Sequence, residues 1–155
     1  MCEAIVKGLV SRKDQTVISI SEPFDARREY LTKQYPTVSI INSNIDILNE
    51  SDVVVLAVKP QQLGNVMSSL KSTANPLVIS ICAGIPIVRL EELMGSKARI
   101  ARVMPNLPAM VAEGASGFCI NTQCQESDAE LVIRIFSAVG AVVERVPEYL
   151  IDALT

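Results

Sequence analysis

A doubly wound α/β fold, its sheet mostly parallel and covered by helices on both faces, is what this 155-residue sequence predicts. Apolar strand-like runs alternate with helix-period segments over nearly the whole length, the pattern of βα units rather than of bundles or sandwiches. Three of the runs, at residues 53–58, 77–82 and 99–104, are close to continuous, whereas a strand with one solvated face would alternate. Each of the three stops at a tight corner: Lys59-Pro60, Cys82-Ala83-Gly84 or Pro105-Asn106-Leu107-Pro108. Right-handed crossovers between parallel strands bring such corners to one edge of the sheet, where ligands of open α/β folds bind.

The elements follow in order. Residues 1–10 read as a helix, with Ile5 and Leu9, Val6 and Val10 paired at i,i+4 and Gly8 permitting a close backbone approach. A β-rich strand at 16–20 ends at Ser21-Glu22-Pro23, and a polar helix runs over 25–33. A short strand at 38–41 leads through Asn42-Ser43-Asn44, which offers helix caps, into a helix reaching Glu50. The valine-rich run at 53–58 gives way at once to a helix over 60–71, because Pro60 suits a first helical turn and not a central strand. That helix carries Leu63, Val66, Met67 and Leu70 on one face. After the strand at 77–82 comes a helix at 88–94 that Gly95 stops, then the strand at 99–104. Residues 113–117 read as a loop and 118–121 as a strand. An amphipathic helix over 128–138 ends at Gly140, a last strand occupies 142–146, and a helix begins near Tyr149.

Composition narrows the chemistry. An apolar content of 49% with only 4% aromatic residues calls for strands covered on both faces and for a surface that meets a partner. A net charge of −3 with no basic stripe argues against a nucleic-acid surface. No apolar run approaches the roughly 18 residues of a membrane span, and the first ten residues lack the apolar core of a signal peptide. Cys2, Cys82, Cys119 and Cys124 contain no CxxC pair and read as small buried hydrophobes of a reducing compartment. Histidine is absent, which removes Ser-His and Cys-His nucleophile chemistry and, with the cysteine spacing, makes a metal site unexpected.

Candidate ligand residues therefore lie at the strand ends. Glu22 closes an early strand, where the acid on an adenosine ribose is usual, although a capping or solvated glutamate accounts for it as well. No GxGxxG is present. Arg27 and Arg28 suit either a 2′-phosphate or plain solvation, Asn44 and Asn106 either ligand contacts or turns, and Glu113 is a weak candidate acid. Ser21 and Cys82 have no base beside them in sequence and receive no nucleophilic role.

Read together, Met1-Cys2-Glu3-Ala4-Ile5 with Gly8, Ser21-Glu22-Pro23, Ala57-Val58-Lys59-Pro60-Gln61, Ile79 through Ile85, Arg102 through Ala109, Glu113-Gly114-Ala115 and Leu150-Ile151-Asp152-Ala153 resemble the cofactor domain of the pyrroline-5-carboxylate reductases. The resemblance covers essentially the whole chain. It implies a Rossmann-type fold and an oxidoreductase of proline biosynthesis that reduces 1-pyrroline-5-carboxylate with NADP(H) or NAD(H). By the same resemblance Ser21 and Glu22 match the adenosine-ribose corner, and Asn44 an asparagine beside the adenosine half. Ala57, Val58, Lys59 and Pro60, with Ile81, Cys82, Ala83 and Gly84, match the strand ends along the dinucleotide. Met104 and Asn106 face the nicotinamide and the imine, and Met1 takes the last position of the glycine loop near the pyrophosphate. Leu107 departs from the threonine usual there.

The resemblance further implies a cofactor domain over residues 1–147 and, at 148–155, the start of a helical dimerisation domain that holds the substrate carboxylate. It implies a cytoplasmic protein acting on a small imine, homo-oligomeric in the full-length family, with no catalytic side chain expected here because the substrate-binding domain is absent; composition already sets metal, membrane and nucleic acid aside. The first strand and glycine loop of the family are expected upstream of Met1. In the strand order 3-2-1-4-5-6 that strand is central, and the chain as it stands is expected to bind NADPH with a dissociation constant above about 10 μM. Two other readings stay open: a non-catalytic remnant or interaction module of the same fold, and a related Rossmann reductase such as a hydroxy-acid dehydrogenase, which the Met-Pro-Asn segment disfavours. A receiver domain is disfavoured because Lys59 stands where a phosphoacceptor aspartate would.

Overall fold

The computed structural model describes residues 1–12, 16–68 and 74–154. In chain order its elements are α1 (Cys2–Ser11), β1 (Ser19–Ser21), α2 (Asp25–Gln34), β2 (Ser39–Ile41), α3 (Asn44–Glu50), β3 (Val53–Leu56), α4 (Pro60–Ser68), β4 (Leu77–Ser80), α5 (Ile87–Met94) and β5 (Arg99–Pro105). A 3₁₀ turn at Leu107–Val111 follows, then β6 (Ala115–Ile120), α6 (Glu126–Phe136), β7 (Val142–Arg145), α7 (Glu148–Ile151) and a last 3₁₀ turn at Asp152–Leu154.

Strands β3 to β7 form one five-stranded sheet in sequence order, and β1 pairs with β2 in a separate two-stranded sheet. All pairs are parallel except β5 with β6. The alternating αβ architecture and mostly parallel sheet expected from sequence are therefore present. Both faces of the large sheet are covered, which is why its strands read as continuous apolar runs. Leu77 and Ile79 of β4 point with Val103 into a cluster built on α1 and α6 through Ile5, Val132 and Phe136. Val78 points the other way, into a cluster that takes Leu63 and Met67 from α4, Leu90 from α5 and Ile151 from α7.

Gly8 has the role its spacing suggests. A Cβ there would lie 2.2 Å from the Ala138 carbonyl oxygen, so glycine lets α1 press against the segment after α6. Arg12 fixes the same contact by donating to the carbonyls of Arg134 and Ser137. Gly95 stops α5 as expected, in a left-handed conformation with φ +97°.

Several boundaries differ from expectation for reasons of pairing. The strand expected at 16–20 forms only at Ser19–Ser21, where β2 supplies a partner from Ser39 to Ile41, and Val17 is left 91% exposed. Strands β3 and β4 end at Leu56 and Ser80, the last residues they pair, which leaves Ala57, Val58, Ile81 and Cys82 in the corners. The segment 113–117, expected to be a loop, already contains the start of β6, because Ser116 and Gly117 pair with Pro105 and Met104. At Gly117 a Cβ would lie 2.0 Å from Leu154 Cδ1, the tip of a side chain that is 40% exposed and free to move aside. The helix expected at 128–138 runs instead from Glu126 to Phe136, started by a capping box between Gln125 and Asp128. Gly140 does not cap it. A Cβ at Gly140 would meet the Gly114 carbonyl oxygen at 1.8 Å, so this glycine serves close packing. Positions 69–71 of the helix expected over 60–71, Leu70 among them, lie outside the described residues.

Candidate functional site

The pairing register places the three apolar strand exits side by side. Leu56 of β3 is opposite Ser80 of β4, which is opposite Arg102 of β5, and all three strands run the same way. The corners Ala57-Val58-Lys59-Pro60, Ile81-Cys82-Ala83-Gly84 and Met104-Pro105-Asn106 thus share one edge of the sheet. Polar contacts join the first two: Ile81 N–H donates to the Leu56 carbonyl at 3.2 Å, and the Cys82 thiol lies 3.3 Å from the Val58 carbonyl. Lys59, Ala83 and Gly84 are exposed, Asn106 is half-buried, and Cys82 and Met104 are buried beneath them. The rim therefore offers backbone and one ammonium group to a ligand, over an apolar floor.

Asn106 straps the third corner. Its Oδ1 accepts from Ala115 N–H at 3.0 Å, and its own N–H donates to the Ala115 carbonyl at 3.2 Å. Nδ2 has no acceptor among the described residues. Beneath the strap Gly114 is packed so closely that a Cβ would lie 2.7 Å from Ala109 Cβ.

The remaining candidates sit around the smaller sheet. Ser21 ends β1, Glu22 N–H donates to the Ile41 carbonyl at 2.9 Å, and Asn44 is exposed at the start of α3 just after β2. Ser43, not Asn44, is the helix cap, accepting from Asp46 N–H. The Glu22 carboxylate accepts from Phe24 N–H at 3.0 Å, just ahead of α2, which no side chain caps among the described residues. Arg27 is paired with Glu3, and Arg28 with Asp25 and the carbonyls of Glu22 and Pro23. Both guanidinium groups left open by sequence are thereby engaged within the protein. Glu113 is exposed on the segment before β6.

Helix α1 bridges the two sheets. Met1 packs against the cluster that holds Ile79, Ala109 and Ile81, and Glu3 reaches α2, accepting from Tyr35 and Tyr30 at 3.2 and 3.3 Å as well as pairing with Arg27. Burial pushes the Glu3 carboxyl upward, but the hydrogen bond and charge of Arg27, helped by the two tyrosines, outweigh it and hold the group below its ordinary range. Among the described residues no side chain caps the first turn of α1.

The cysteines are not uniformly buried as expected. Cys82 and Cys119 are buried, Cys124 is half-buried and Cys2, at the first position of α1, is exposed. Burial, with Glu148 adding to it, pushes the Cys119 thiol up to about 11, so it is protonated and unreactive near neutrality. Among the described residues no group of three or more His, Cys, Asp or Glu side chains is placed to hold a metal ion.

Residue-level reading missed one arrangement at this edge. Arg102, 2% exposed in the middle of β5, reaches Asp152 and Glu148 beyond the last strand, and those two carboxylates also accept from Gly84 N–H and Ile87 N–H. A charged residue inside an otherwise apolar strand was the available signal, since a buried cation must find partners.

A family model described as "NADP oxidoreductase coenzyme F420-dependent" matches residues 1–84. The chain belongs to that family. It is 44% identical to the pyrroline-5-carboxylate reductase of Synechocystis over 100% of this chain and 58% of the relative, and 40% identical to that of Methanosarcina acetivorans over 97% and 55%. Among solved structures, the pyrroline-5-carboxylate reductase of Coxiella burnetii superposes with a TM-score of 0.89 at 32% identity, over 97% of this chain and 57% of that one. The enzyme of Plasmodium falciparum, solved with NADP bound, gives 0.81 at 29% identity over 96% and 54%. Prephenate dehydrogenase from Aquifex aeolicus, at 16% identity and 0.72, shows the shared fold alone. The family's sequence and structure thus bear out the resemblance to the N-terminal cofactor domain of pyrroline-5-carboxylate reductases. The chain spans a little over half the length of these relatives.

Proposed function

We propose that this chain is the nicotinamide-nucleotide-binding part of a reductase that converts 1-pyrroline-5-carboxylate to proline with NADPH or NADH. The observation that carries the reading is the single edge onto which the exits of β3, β4 and β5 open. Its residues suit the group: Ala83 and Gly84 are exposed backbone with nothing within 4 Å of a Cβ at Gly84, Lys59 supplies a positive charge, and α1 presents an uncapped N-terminus toward negative charge. Along this rim the cofactor-facing residues are Ala57 through Pro60 and Ile81 through Gly84, with Met1 at the pyrophosphate end. Ser21, Glu22 and Asn44 serve the adenosine half, and Met104 and Asn106 the nicotinamide and substrate.

When bound, the reduced nicotinamide supplies a hydride to the imine carbon, leaving an amine and the oxidised nucleotide. An iminium substrate arrives already protonated, so the protein needs no proton donor and contributes position and a water-poor surface. The Asn106 Nδ2 donor orients polar groups over the rim, and Cys82 and Met104 form its dry floor. The lack of histidine is compatible with that division of labour.

On the same reading the protein is cytoplasmic and binds no nucleic acid, the full-length family is homo-oligomeric, and the chain divides into residues 1–147 and the beginning of a helical domain at 148–155. Among the described residues no helix is long and apolar enough to cross a membrane. A second reading, a non-catalytic interaction module of the same fold, is favoured by the exposure of Leu107, Met110 and Val111 beside the rim, at 80%, 61% and 73%. Measuring pyrroline-5-carboxylate-dependent NADPH oxidation decides between them, with the chain alone compared with versions extended upstream and downstream to the length of its relatives. Turnover by an extended version supports the reductase; failure of every version to oxidise NADPH or NADH rejects it.

A further inference from the structure

We propose that Asp152 is a positioning residue of the nucleotide rim, holding the Gly84 peptide with a carboxylate that the buried Arg102 fixes in place; this rests on the nucleotide reading above. Asp152 Oδ1 accepts from Gly84 N–H at 3.3 Å and is paired with Arg102 Nη2. One turn earlier, Glu148 Oε1 accepts from Ile87 N–H at 2.6 Å and lies 3.5 Å from Arg102 Nη1. Two carboxylates on one short segment therefore grip both ends of the connection from the β4 corner to α5, and one guanidinium spans them.

The grip has a mechanical purpose at Gly84. That residue is exposed, has φ +70° and has open space where a side chain would be. A glycine so placed has the largest conformational freedom of any residue, and an undefined peptide plane is a poor ligand surface. Fixing its N–H on one side leaves the other side preorganised, so that a ligand need not bear the ordering entropy.

Arg102 is not there for stability alone. Its Nε is buried with no hydrogen-bond partner, an unfavourable state that apolar packing would avoid. What the arginine achieves and an apolar residue would not is the aim of two carboxylates. Residues 148–152 thereby act in the rim although they lie outside the strands that form it.

Nucleotide titrations of the chain extended upstream and downstream to the length of its relatives, followed in ¹H–¹⁵N spectra on the Gly84 amide, test this with NADPH and NADH as probes. D152A removes the acceptor and should weaken binding about tenfold, the scale of a lost charged hydrogen bond, and should move the Gly84 amide proton upfield in the free protein. The double variant R102M/D152A removes both charges of the pair, so it should recover the melting temperature but not the affinity. Affinity that stays unchanged in D152A, or that returns with the melting temperature in the double variant, overturns the positioning role. An extended wild-type protein that shows no shifts with either nucleotide at millimolar concentration rejects the nucleotide reading itself, and this proposal with it.

Discussion

The two sheets of this molecule are built from similar residues and held in different ways. In β4 all four residues from Leu77 to Ser80 are buried, between strands on both sides and helices on both faces. In β1 the three residues from Ser19 to Ser21 run from exposed to half-buried, with β2 as the only hydrogen-bonded neighbour among the described residues. No ladder joins β1 to β3, and the small sheet is held to the rest partly through the Glu3 cluster on α1. β-Propensity alone does not tell these strands apart; enclosure does. The large sheet supplies a rigid edge, and the small one supplies a more pliant lobe to any nucleotide that spans both.

That contrast can be tested by breaking each region in turn. Ile79→Ala, at a fully buried position in β4, should cost roughly 2–5 kcal/mol in chemical denaturation and abolish folding if the margin is at the low end of about 5–15 kcal/mol. Gly8→Ala comes next. The new methyl would overlap the Ala138 carbonyl, so a net loss of about 1–3 kcal/mol is expected despite alanine's better helix propensity. Glu3→Gln probes the link between the regions through pH. The folded carboxyl is held below its ordinary value of 4.5, so its contribution is complete above that value and is lost as pH falls through the folded one. The variant should therefore show a shallower fall of stability with acidification below pH 4.5, measured by thermal melts. Ile20→Ala in β1 should have the smallest effect, about 1 kcal/mol or less. In hydrogen exchange β4 amides should open only with global unfolding, whereas β1 amides exchange earlier; equal protection would erase the distinction.

What the sequence reveals follows the same division. The exits of β3, β4 and β5 were readable because continuous burial writes itself as an unbroken apolar run, and Lys59-Pro60 and Ala83-Gly84 punctuate it locally. Gly8 was readable because a lone glycine inside a helical stripe has few other uses. The start of β6 was hidden, since Gly114 and Gly117 look like turn formers, yet Gly114 packs on the Ala109 backbone and Gly117 pairs with Met104. Arg102 was hidden more deeply: its partners lie 46 and 50 residues away, and no local period connects them. Arg27 and Glu22 sit on a polar stretch where solvation and pairing leave the same trace in sequence.

The strap at Asn106 separates what holds the corner from what meets a ligand. An N106D substitution would replace the side-chain amide by a carboxylate, whose oxygen still accepts from Ala115 N–H. The fold would hold, but the side chain would lose its one donor and gain a negative charge beside the rim. Such a variant would therefore keep its melting temperature while its edge turned repellent to anions, a defect that stability assays pass over and ligand titrations register.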